Sequence, residues 1–534
     1  MTLRGRDLQE IPADTAAIGQ QLLGAADRYR VIGDRLAALV EDAEFAGLYA
    51  PHGRNALSPG LLAMVTLFQF LEDLPDRDAA RAVVVRLDWK YALHLELGYG
   101  GFHYSDLCLF RQRLLAHGEE RLVFDLLLAK IRALGFIKKR GKQRTDSIAV
   151  LGAVTQLSVL ELAWESLRLA VRGLGEADPD WSARVLPASF REDYGQRRPD
   201  YRLSAAERAA ALQAAGSDGY WLLAQVARED AVALGGLPAV VTLRAVWEQR
   251  FVQASGQVQV REDVVPAPER ILTPHDPGVR AGQKRGKGWD GEKAHVTETA
   301  EADQPNFITD VSTGNASGGD AAELPAVRTH LVAVDLLPAE QVVDSGYISG
   351  QQLAQSQAAG IDLVGPPLGD TSANGFKLAD FVIDRVAQQA TCPQGQVSVK
   401  WAERTERDGS RAVHIQFAAK TCAACPLRAQ CTTAKDGRSL SLSEHYELLQ
   451  ARRAESQTPA YKQRLRARPA IEATLSELVR SHGFRRHRYR GDDKRDAENL
   501  LKAAACNLKR LARALLTHPP APAAAPACAL AGSR

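Results

Sequence analysis

The sequence has few aromatic residues, no long apolar run and little net charge. Together with the rest of the composition, these properties exclude several classes of protein. Aromatic residues make up 6% of the 534 residues, but hydrophobic residues make up 45%, enough for several cores, which excludes a wholly disordered chain. The longest apolar run, residues 61–71, is too short to cross ~30 Å of hydrocarbon and contains a glutamine. No period typical of collagen, a coiled coil or a repeat array is present.

The length and the first residues indicate a multidomain cytoplasmic protein. At about 150 residues per domain, the chain is long enough for three or four domains or subdomains. The initial MTLRGRDLQEIP lacks an apolar core, so we expect no signal peptide.

The net charge of +3 conceals a strong asymmetry along the chain. Residues 451–513 contain 17 Lys or Arg against 7 Asp or Glu, so the remainder of the chain is acidic. A segregated basic block indicates a polyanionic partner, and a solvated basic helix face is the alternative.

Helix and strand signals change several times along the chain. Ser58 followed by Pro59 is typical of a helix start, and helical spacing dominates up to about residue 137. From about residue 285 the order strand, strand, helix, strand, helix, strand predicts a mixed α/β sheet. We predict a helical N-terminal domain at 1–137 assigned to DNA binding, a catalytic core at 138–155 and 285–380, a helical insertion at 156–284, a small Cys-rich β insertion at 381–440, a basic helical region at 441–516 and a disordered tail at 517–534.

Two aspartates lie in strand contexts that suit a catalytic site. Asp146 sits inside a short apolar strand, and Asp344 follows two valines and precedes Gly346, as at the carboxyl end of a strand in an open α/β sheet. Burying a carboxylate without a partner is costly, so the pair indicates a shared cation. Mg²⁺ binds few carboxylates together with water and phosphate oxygens, so one further acid completes a two-metal site. Taken singly, each aspartate is more readily a turn or cap residue.

The third acid is expected in the basic block. Apolar residues between Ile471 and Val479 define the buried stripe of a helix. Glu472 borders this stripe and is expected to reach the sheet. Glu477 lies further round the helix, and we expect it to be exposed.

A second helix signal in the N-terminal domain begins at Ser105 and carries Arg111 and Arg113. It is compatible with a DNA-reading helix pair, in which these arginines would contact bases. Any small helical domain shows the same pattern, and this plainer interpretation is slightly favoured.

Four of the seven cysteines cluster in one segment, and their CxxC spacing with two further thiols is typical of a metal site. A chain without a signal peptide should not depend on disulfides, which favours one structural zinc ion. Alternating residues at 397–401 and 413–417 predict a hairpin that joins the two cysteine pairs. Redox chemistry or a degenerate site are the alternatives. The predicted ligands are Cys392, Cys422, Cys425 and Cys431.

Several motifs occur in a fixed order between about residues 40 and 516. They are Thr-Asp146-Ser, Asp276-Pro-Gly-Val-Arg280 followed by Lys293-Ala-His295-Val-Thr-Glu-Thr, Asp344-Ser-Gly-Tyr347, Cys392-Pro-Gln-Gly, and Ile471-Glu472 followed by His482-Gly-Phe-Arg485-Arg and Arg488-Tyr-Arg-Gly491. In this combination the chain resembles bacterial insertion-sequence DDE transposases, and the most similar branch is the one numbered eleven-eighty-two.

The resemblance implies a ribonuclease-H-like fold with acids on the first strand, after the fourth strand and on a late helix. Carried over by position, the triad is Asp146, Asp344 and Glu472, which would bind two Mg²⁺ ions, with Mn²⁺ as an alternative. Such ions, about 3.5 to 4 Å apart, would activate water for in-line attack on a phosphodiester. The released 3′-hydroxyl would then attack target DNA, with no covalent protein–DNA intermediate.

The wider superfamily's tyrosine, arginine, glutamate, lysine signature is only partly present. Arg468 and Glu472 match, but Leu465 and Val479 stand at the tyrosine and lysine positions, and Arg480 is the candidate substitute for the lysine. We predict that basic residues around the third acid bind DNA phosphates. They are Arg468, Arg480, Arg485, Arg486, Arg488 and Arg490.

The predicted function is therefore a transposase that cleaves the ends of an insertion sequence and joins them to target DNA. The expected partners are double-stranded DNA and a second copy of the chain when assembled on DNA, with no membrane, in the cytoplasm near the nucleoid. A catalytically inactive DNA-binding regulator and a metal-dependent nuclease without strand transfer are the alternatives.

Overall fold

The structure of the chain is a computed structural model, and it describes most of the sequence. The described residues are 2–3, 10–36, 39–196, 202–254, 257–263, 265–284, 286–369, 375–406 and 409–517. The predicted disordered tail lies outside these residues, apart from position 517.

Twenty α-helices are present among the described residues. They are α1 (Ala13–Leu22), α2 (Arg28–Arg35), α3 (Pro59–Leu71), α4 (Asp76–Val85), α5 (Leu87–Ala92), α6 (Ser105–Ala116), α7 (Leu122–Ala133), α8 (Val159–Ala177), α9 (Pro179–Val185), α10 (Ala188–Gln196), α11 (Ala205–Val226), α12 (Pro238–Arg250), α13 (Leu324–Ala333), α14 (Gly350–Ala358), α15 (Ala419–Ala423), α16 (Arg428–Cys431), α17 (Tyr446–Glu455), α18 (Pro459–Leu465), α19 (Ile471–Ser481) and α20 (Asp492–Thr517).

Thirteen strands form one large and three small sheets within the described residues. The strands are β1 (Lys142–Leu151), β2 (Phe251–Ala254), β3 (Gln257–Val260), β4 (Arg280–Lys284), β5 (Lys287–Thr299), β6 (Ile308–Asn315), β7 (Glu340–Val343), β8 (Asp362–Val364), β9 (Val382–Asp384), β10 (Gln389–Thr391), β11 (Lys400–Thr405), β12 (Arg411–Gln416) and β13 (Ser439–Ser443).

Local sequence explains where several helices begin. The Ser58 hydroxyl accepts a hydrogen bond from the Leu61 amide, and Pro59 takes the first position of α3, as predicted. Helix α8 begins with a capping box, in which Ser158 and Glu161 satisfy each other's backbone amides. These side chains satisfy amide groups that the first helical turn leaves without partners.

The large sheet is mixed, which confirms the predicted α/β class. Its strands lie in the order β6-β5-β1-β7-β8, and β4 pairs with the other end of β5 on the same edge as β6. Strand β5 runs antiparallel to β1, β4 and β6, whereas β1, β7 and β8 are parallel to one another. Strand β4, at residues 280–284, lies within the predicted helical insertion but joins this sheet, because it forms a hairpin with β5.

One hydrophobic core joins the N-terminal helices to the large sheet. Helix α20 is buried along most of its length and packs against α2, α3, α7 and β6. It brings apolar side chains such as Leu508 and Leu511 against both groups of elements. The N-terminal helices are therefore anchored to the elements that carry the predicted catalytic acids.

Two smaller cores lie outside this body. Helices α8 to α12 and the β2–β3 hairpin surround Trp181 and Trp247, both almost fully buried. The second core lies beneath the three-stranded sheet β11-β12-β13 and includes Ile415 and Leu442. In that sheet β11 and β12 are antiparallel, as the alternating residues around the cysteines predicted. Across the part of the chain that the structure describes, no helix combines the length and apolarity needed to span a membrane.

Candidate active site

Asp146 and Asp344 come together at two adjacent parallel strands. Asp146 lies within β1, and Asp344 directly follows β7, which pairs with β1 in register at Thr145 and Val343. The guanidinium of Arg468 bridges the two carboxylates, with one nitrogen 3.3 Å from an oxygen of Asp146 and 3.1 Å from an oxygen of Asp344. Two acids that the sequence places nearly 200 residues apart therefore share one cation.

Backbone amides orient both carboxylates. Asp146 accepts a hydrogen bond from the amide of Ser147 at 2.7 Å, and Asp344 accepts one from the amide of Ser345 at 2.6 Å. Burial raises the pKa of Asp146, and the Ser147 amide and the Arg468 guanidinium oppose this shift. Asp344 is more open, with about a third of its side chain exposed. Removing the cation would leave a buried carboxylate beside a second negative charge, which is unfavourable.

Glu472 follows the bridging Arg468 by four positions along the chain, but among the described residues no ion pair or hydrogen bond links it to either aspartate. Arg468 is in a 3₁₀ turn, Arg468–Ala470, that leads into α19, and Glu472 occupies the first turn of that helix. Because Arg468 contacts both aspartates, the start of α19, which carries Glu472, lies near the pair. The Glu472 side chain is exposed, and no ion pair within the described residues includes it.

The expectation that Glu477 is the exposed acid of α19 is wrong. Its carboxylate accepts hydrogen bonds from Lys509 at 2.9 Å and from Arg510 at 2.9 Å, and only 24% of its side chain is exposed. The helical spacing placed Glu477 away from the stripe that faces the sheet, but α20 packs along that side of α19 and supplies both cations.

A second layer of polar groups lies beside the two aspartates, and the sequence reasoning gave these residues no role. The His295 ring is 2.7 Å from the hydroxyl of Tyr347, and both side chains are buried. Burial lowers the pKa of His295 to about 4, so the ring is neutral near pH 7. Lys293, on the same strand, pairs with Asp320 at 3.0 Å. The Lys-Ala-His and Asp-Ser-Gly-Tyr motifs contained the signal, but only the fold shows that they meet.

The arginines that follow α19 fall into two groups. Arg480, Arg485, Arg486 and Arg490 are exposed. Arg488 instead donates to the Leu74 carbonyl at 2.8 Å, pairs with Asp73 and lies over the Phe70 ring. The guanidinium of Arg488 thus holds the N-terminal helices in this structure, and its assignment to DNA phosphates stays a prediction.

The arginines of α6 both contact other groups of the protein. Arg111 is buried, pairs with Asp76 at 2.7 Å and stacks on Tyr489. Arg113 lies over the ring of Tyr49, with 4.2 Å between guanidinium carbon and ring centre. The plainer interpretation of this helix, as part of a helical core, is the one that the contacts fit.

The four clustered cysteines line a single pocket beneath the three-stranded sheet, together with Arg438. All four are unpaired thiols. Among the described residues, the one group of three potential ligand atoms that lie within 4.8 Å of one another is elsewhere, at Glu477, His482 and Cys506. The cysteine thiols are therefore further apart than in a closed zinc site. The other group is a poor cation site, because Lys509 and Arg510 already neutralise Glu477.

Two protein-family models match the chain, one near each end. A family described as "Transposase DDE domain" matches residues 391–512, and a family described as "Transposase domain (DUF772)" matches residues 22–113. No curated protein matches the chain. The two matches confirm the resemblance that the ordered motifs indicated, since both families are transposase domains and the first includes Glu472 and the arginines around it.

Proposed function

We propose that this chain, an insertion-sequence DDE transposase by resemblance, cleaves the ends of a mobile element and joins them to target DNA by two-metal phosphoryl transfer. The proposal rests on one observation: Asp146 and Asp344 both contact the guanidinium of Arg468, which lies directly before the helix that carries Glu472. Paired carboxylates that already share a positive charge are suited to divalent metal ions.

The order of the strands supports a ribonuclease-H-like core. If the short β4 hairpin is set aside, β1, β5, β6 and β7 are the first four strands of the large sheet along the chain. Asp146 then lies on the first strand, Asp344 follows the fourth, and Glu472 begins a late helix. These are the three positions that the resemblance implies.

The proposal gives the site two roles, metal binding by the three acids and phosphate binding by Arg468. Asp146, Asp344 and Glu472 would hold Mg²⁺ or Mn²⁺, which activates the attacking oxygen and stabilises the leaving oxygen of the phosphodiester. The two aspartates fit this role because their backbone contacts fix one oxygen of each and leave the other toward Arg468. Arg468 would need to release the carboxylates when metal binds, which frees its guanidinium for a DNA phosphate.

The cysteine pocket is proposed to hold one structural zinc ion. Four thiols that line one pocket give the donor set of a closed zinc site. Burial raises the pKa of Cys431, and the Arg438 guanidinium opposes this shift, so a bound cation would be needed to hold the thiolate form. Because the thiols are further apart in the structure than in a closed site, zinc binding would draw them together. Bound zinc would then stabilise the segment between β8 of the large sheet and α17.

The substrate is proposed to be double-stranded DNA, both at the element ends and at the target. Two ends must be held together for transposition, so we propose that two copies of the chain assemble on DNA, in the cytoplasm and associated with the nucleoid. We retain the branch numbered eleven-eighty-two as the proposed branch of the family.

A cleavage and joining assay tests the function. Duplexes that carry the two ends of the element are incubated with the protein, a target plasmid and Mg²⁺, and products are separated on a denaturing gel. We expect nicking at the element ends and joined products. Nicking without joining would favour the nuclease, and binding without nicking would favour the inactive regulator.

A further inference from the structure

A groove lies at the far end of the strand that carries Asp146. The end of β1 pairs with the loop after α19: the Leu151 amide donates to the Arg485 carbonyl at 2.9 Å, and the His487 amide donates to the Leu151 carbonyl at 2.9 Å. This pairing places Arg486 opposite Leu151, the last residue of β1, and Gly152 follows directly. The groove opens at this point.

The walls of the groove come from three separate parts of the chain. Thr155 and its neighbours after β1 form one wall, Thr273 and His275 form the second, and Arg486 and Arg490 form the third. Both arginines are exposed, and no ion pair within the described residues includes either one. The groove therefore presents two unneutralised guanidinium groups beside hydroxyl and imidazole groups that can donate hydrogen bonds.

The acids that contact the groove are paired with other cations: Glu292 and Glu498, beside His487, pair with Arg495 and Lys502. Glu165 lies close to His275, at 3.4 Å, but it also pairs with Arg168 at 2.8 Å. The neighbouring Arg488, by contrast, is held by Asp73 and is unavailable. Free arginines beside neutral donors are the usual composition of a site for a phosphate group.

The position of the groove relates it to the catalytic site. Gly152 lies six positions after Asp146, and an extended strand rises about 3.3 Å per residue. The catalytic aspartate and the start of the groove are therefore about 20 Å apart. One strand of a duplex carries a phosphate every ~3.4 Å along the axis, so this span equals about six base pairs.

We propose that this groove is a second phosphate-binding site, which holds the DNA backbone about five to seven base pairs from the scissile phosphate. The position rests on the proposed function, since it is counted from the cleavage site. The presence of a phosphate site in the groove does not rest on the proposed function, because it follows from the arginines and their surroundings alone.

The test compares two double variants of the full chain that lose the same charge. Arg486→Ala with Arg490→Ala removes the groove cations, and Arg404→Ala with Arg411→Ala removes two exposed arginines of the β11–β12 hairpin. Binding to a 40-base-pair duplex of the element end is measured at several salt concentrations. We expect the groove variant to reduce the slope of log K against log salt by about 1.8, at about 0.9 per lost phosphate contact, and the control to leave it unchanged.

A second measurement locates the contact. Duplexes carrying one uncharged methylphosphonate at each position in turn are bound by the wild type and by the groove variant. We expect the wild type to lose affinity for substitutions about five to seven base pairs from the cleavage site, and the groove variant to show no further loss there. Equal slopes for the two double variants, or an undiminished loss at those positions in the groove variant, would overturn the proposal.

The assays distinguish failure of the phosphate-site proposal from failure of the transposase proposal. A wild-type protein that cleaves DNA while both double variants bind like the wild type would remove the groove and leave the transposase function. A groove-dependent salt slope in a protein that never cleaves would keep the phosphate site and remove the function.

Discussion

Replacing Glu477 by glutamine should destabilise the protein, whereas the same change at Glu472 should abolish cleavage without affecting stability. Burial opposes ionisation of Glu477, but Lys509 and Arg510 outweigh it and lower its pKa to about 2. The shift from the ordinary value of 4.5 corresponds to about 3 kcal/mol, and partial exposure of the group reduces this to about 2 kcal/mol. Glu472 is exposed, so its replacement should change stability by less than about 0.5 kcal/mol.

The stabilisation by Glu477 should depend on pH in a defined direction. The contribution of Glu477 is present above its unfolded pKa and is lost as the pH falls from 4.5 toward about 2. Urea unfolding of the wild type and Glu477→Gln should therefore differ by about 2 kcal/mol at pH 7 and by less than half of that near pH 3. Cleavage assays on the same preparations complete the comparison. The reasoning fails if Glu472→Gln cleaves like the wild type, or if folded Glu477→Gln is inactive.

Three further predictions concern the zinc pocket, Arg488 and Asp496. Elemental analysis should find about one zinc per chain, lost in Cys422→Ser with Cys425→Ser but retained in Cys108→Ser; a folded, active preparation without zinc or iron would exclude the site. Arg488→Ala should lower the free energy of unfolding by about 1 to 2 kcal/mol through its lost hydrogen bonds, while the salt slope of DNA binding stays at the wild-type value; a changed slope would show that Arg488 contacts DNA. Burial raises the pKa of Asp496 to about 6, so its contribution to stability should fall by about 2 kcal/mol as the pH rises from about 4 to 6, and Asp496→Asn should remove this contribution; identical pH profiles of the wild type and the variant in urea unfolding would contradict this.

Features set by neighbouring residues could be predicted from the sequence. The start of α3 at Ser58 and Pro59 depends on a cap within one turn of helix, and the pairing of β11 with β12 follows from alternating residues. The mixed sheet was visible because strands and helices alternate with clear punctuation. The two aspartates were found because a carboxylate within or directly after an apolar strand is unusual.

Features that depend on packing between distant segments could not be predicted. The periodicity of α19 gave no indication that α20 lies along it, and so Glu477 was placed in solvent. The same limit explains Arg111 and Arg488, whose partners are 35 and 415 residues away along the chain. A local pattern shows that an arginine is present, but only the fold shows whether an acid has already neutralised it.

The same argument applies to the layer beside the aspartates. His295 and Tyr347 are 52 residues apart, and their hydrogen bond exists because β5 and the turn after β7 lie on either side of β1. Arg468 illustrates the opposite case, since its position four residues before Glu472 suggested a role that its contacts with both aspartates make specific.

The central claim is that Asp146 and Asp344 form the catalytic centre, and cleavage of a labelled element end by Asp344→Asn measures it most directly. The amide keeps the size of the side chain but removes the charge that Arg468 now neutralises. With Mg²⁺ present, we predict that this variant binds the duplex with wild-type affinity and produces no nicked strand over a time in which the wild type completes the reaction. Nicking by a folded Asp344→Asn protein at a rate close to that of the wild type would contradict the account.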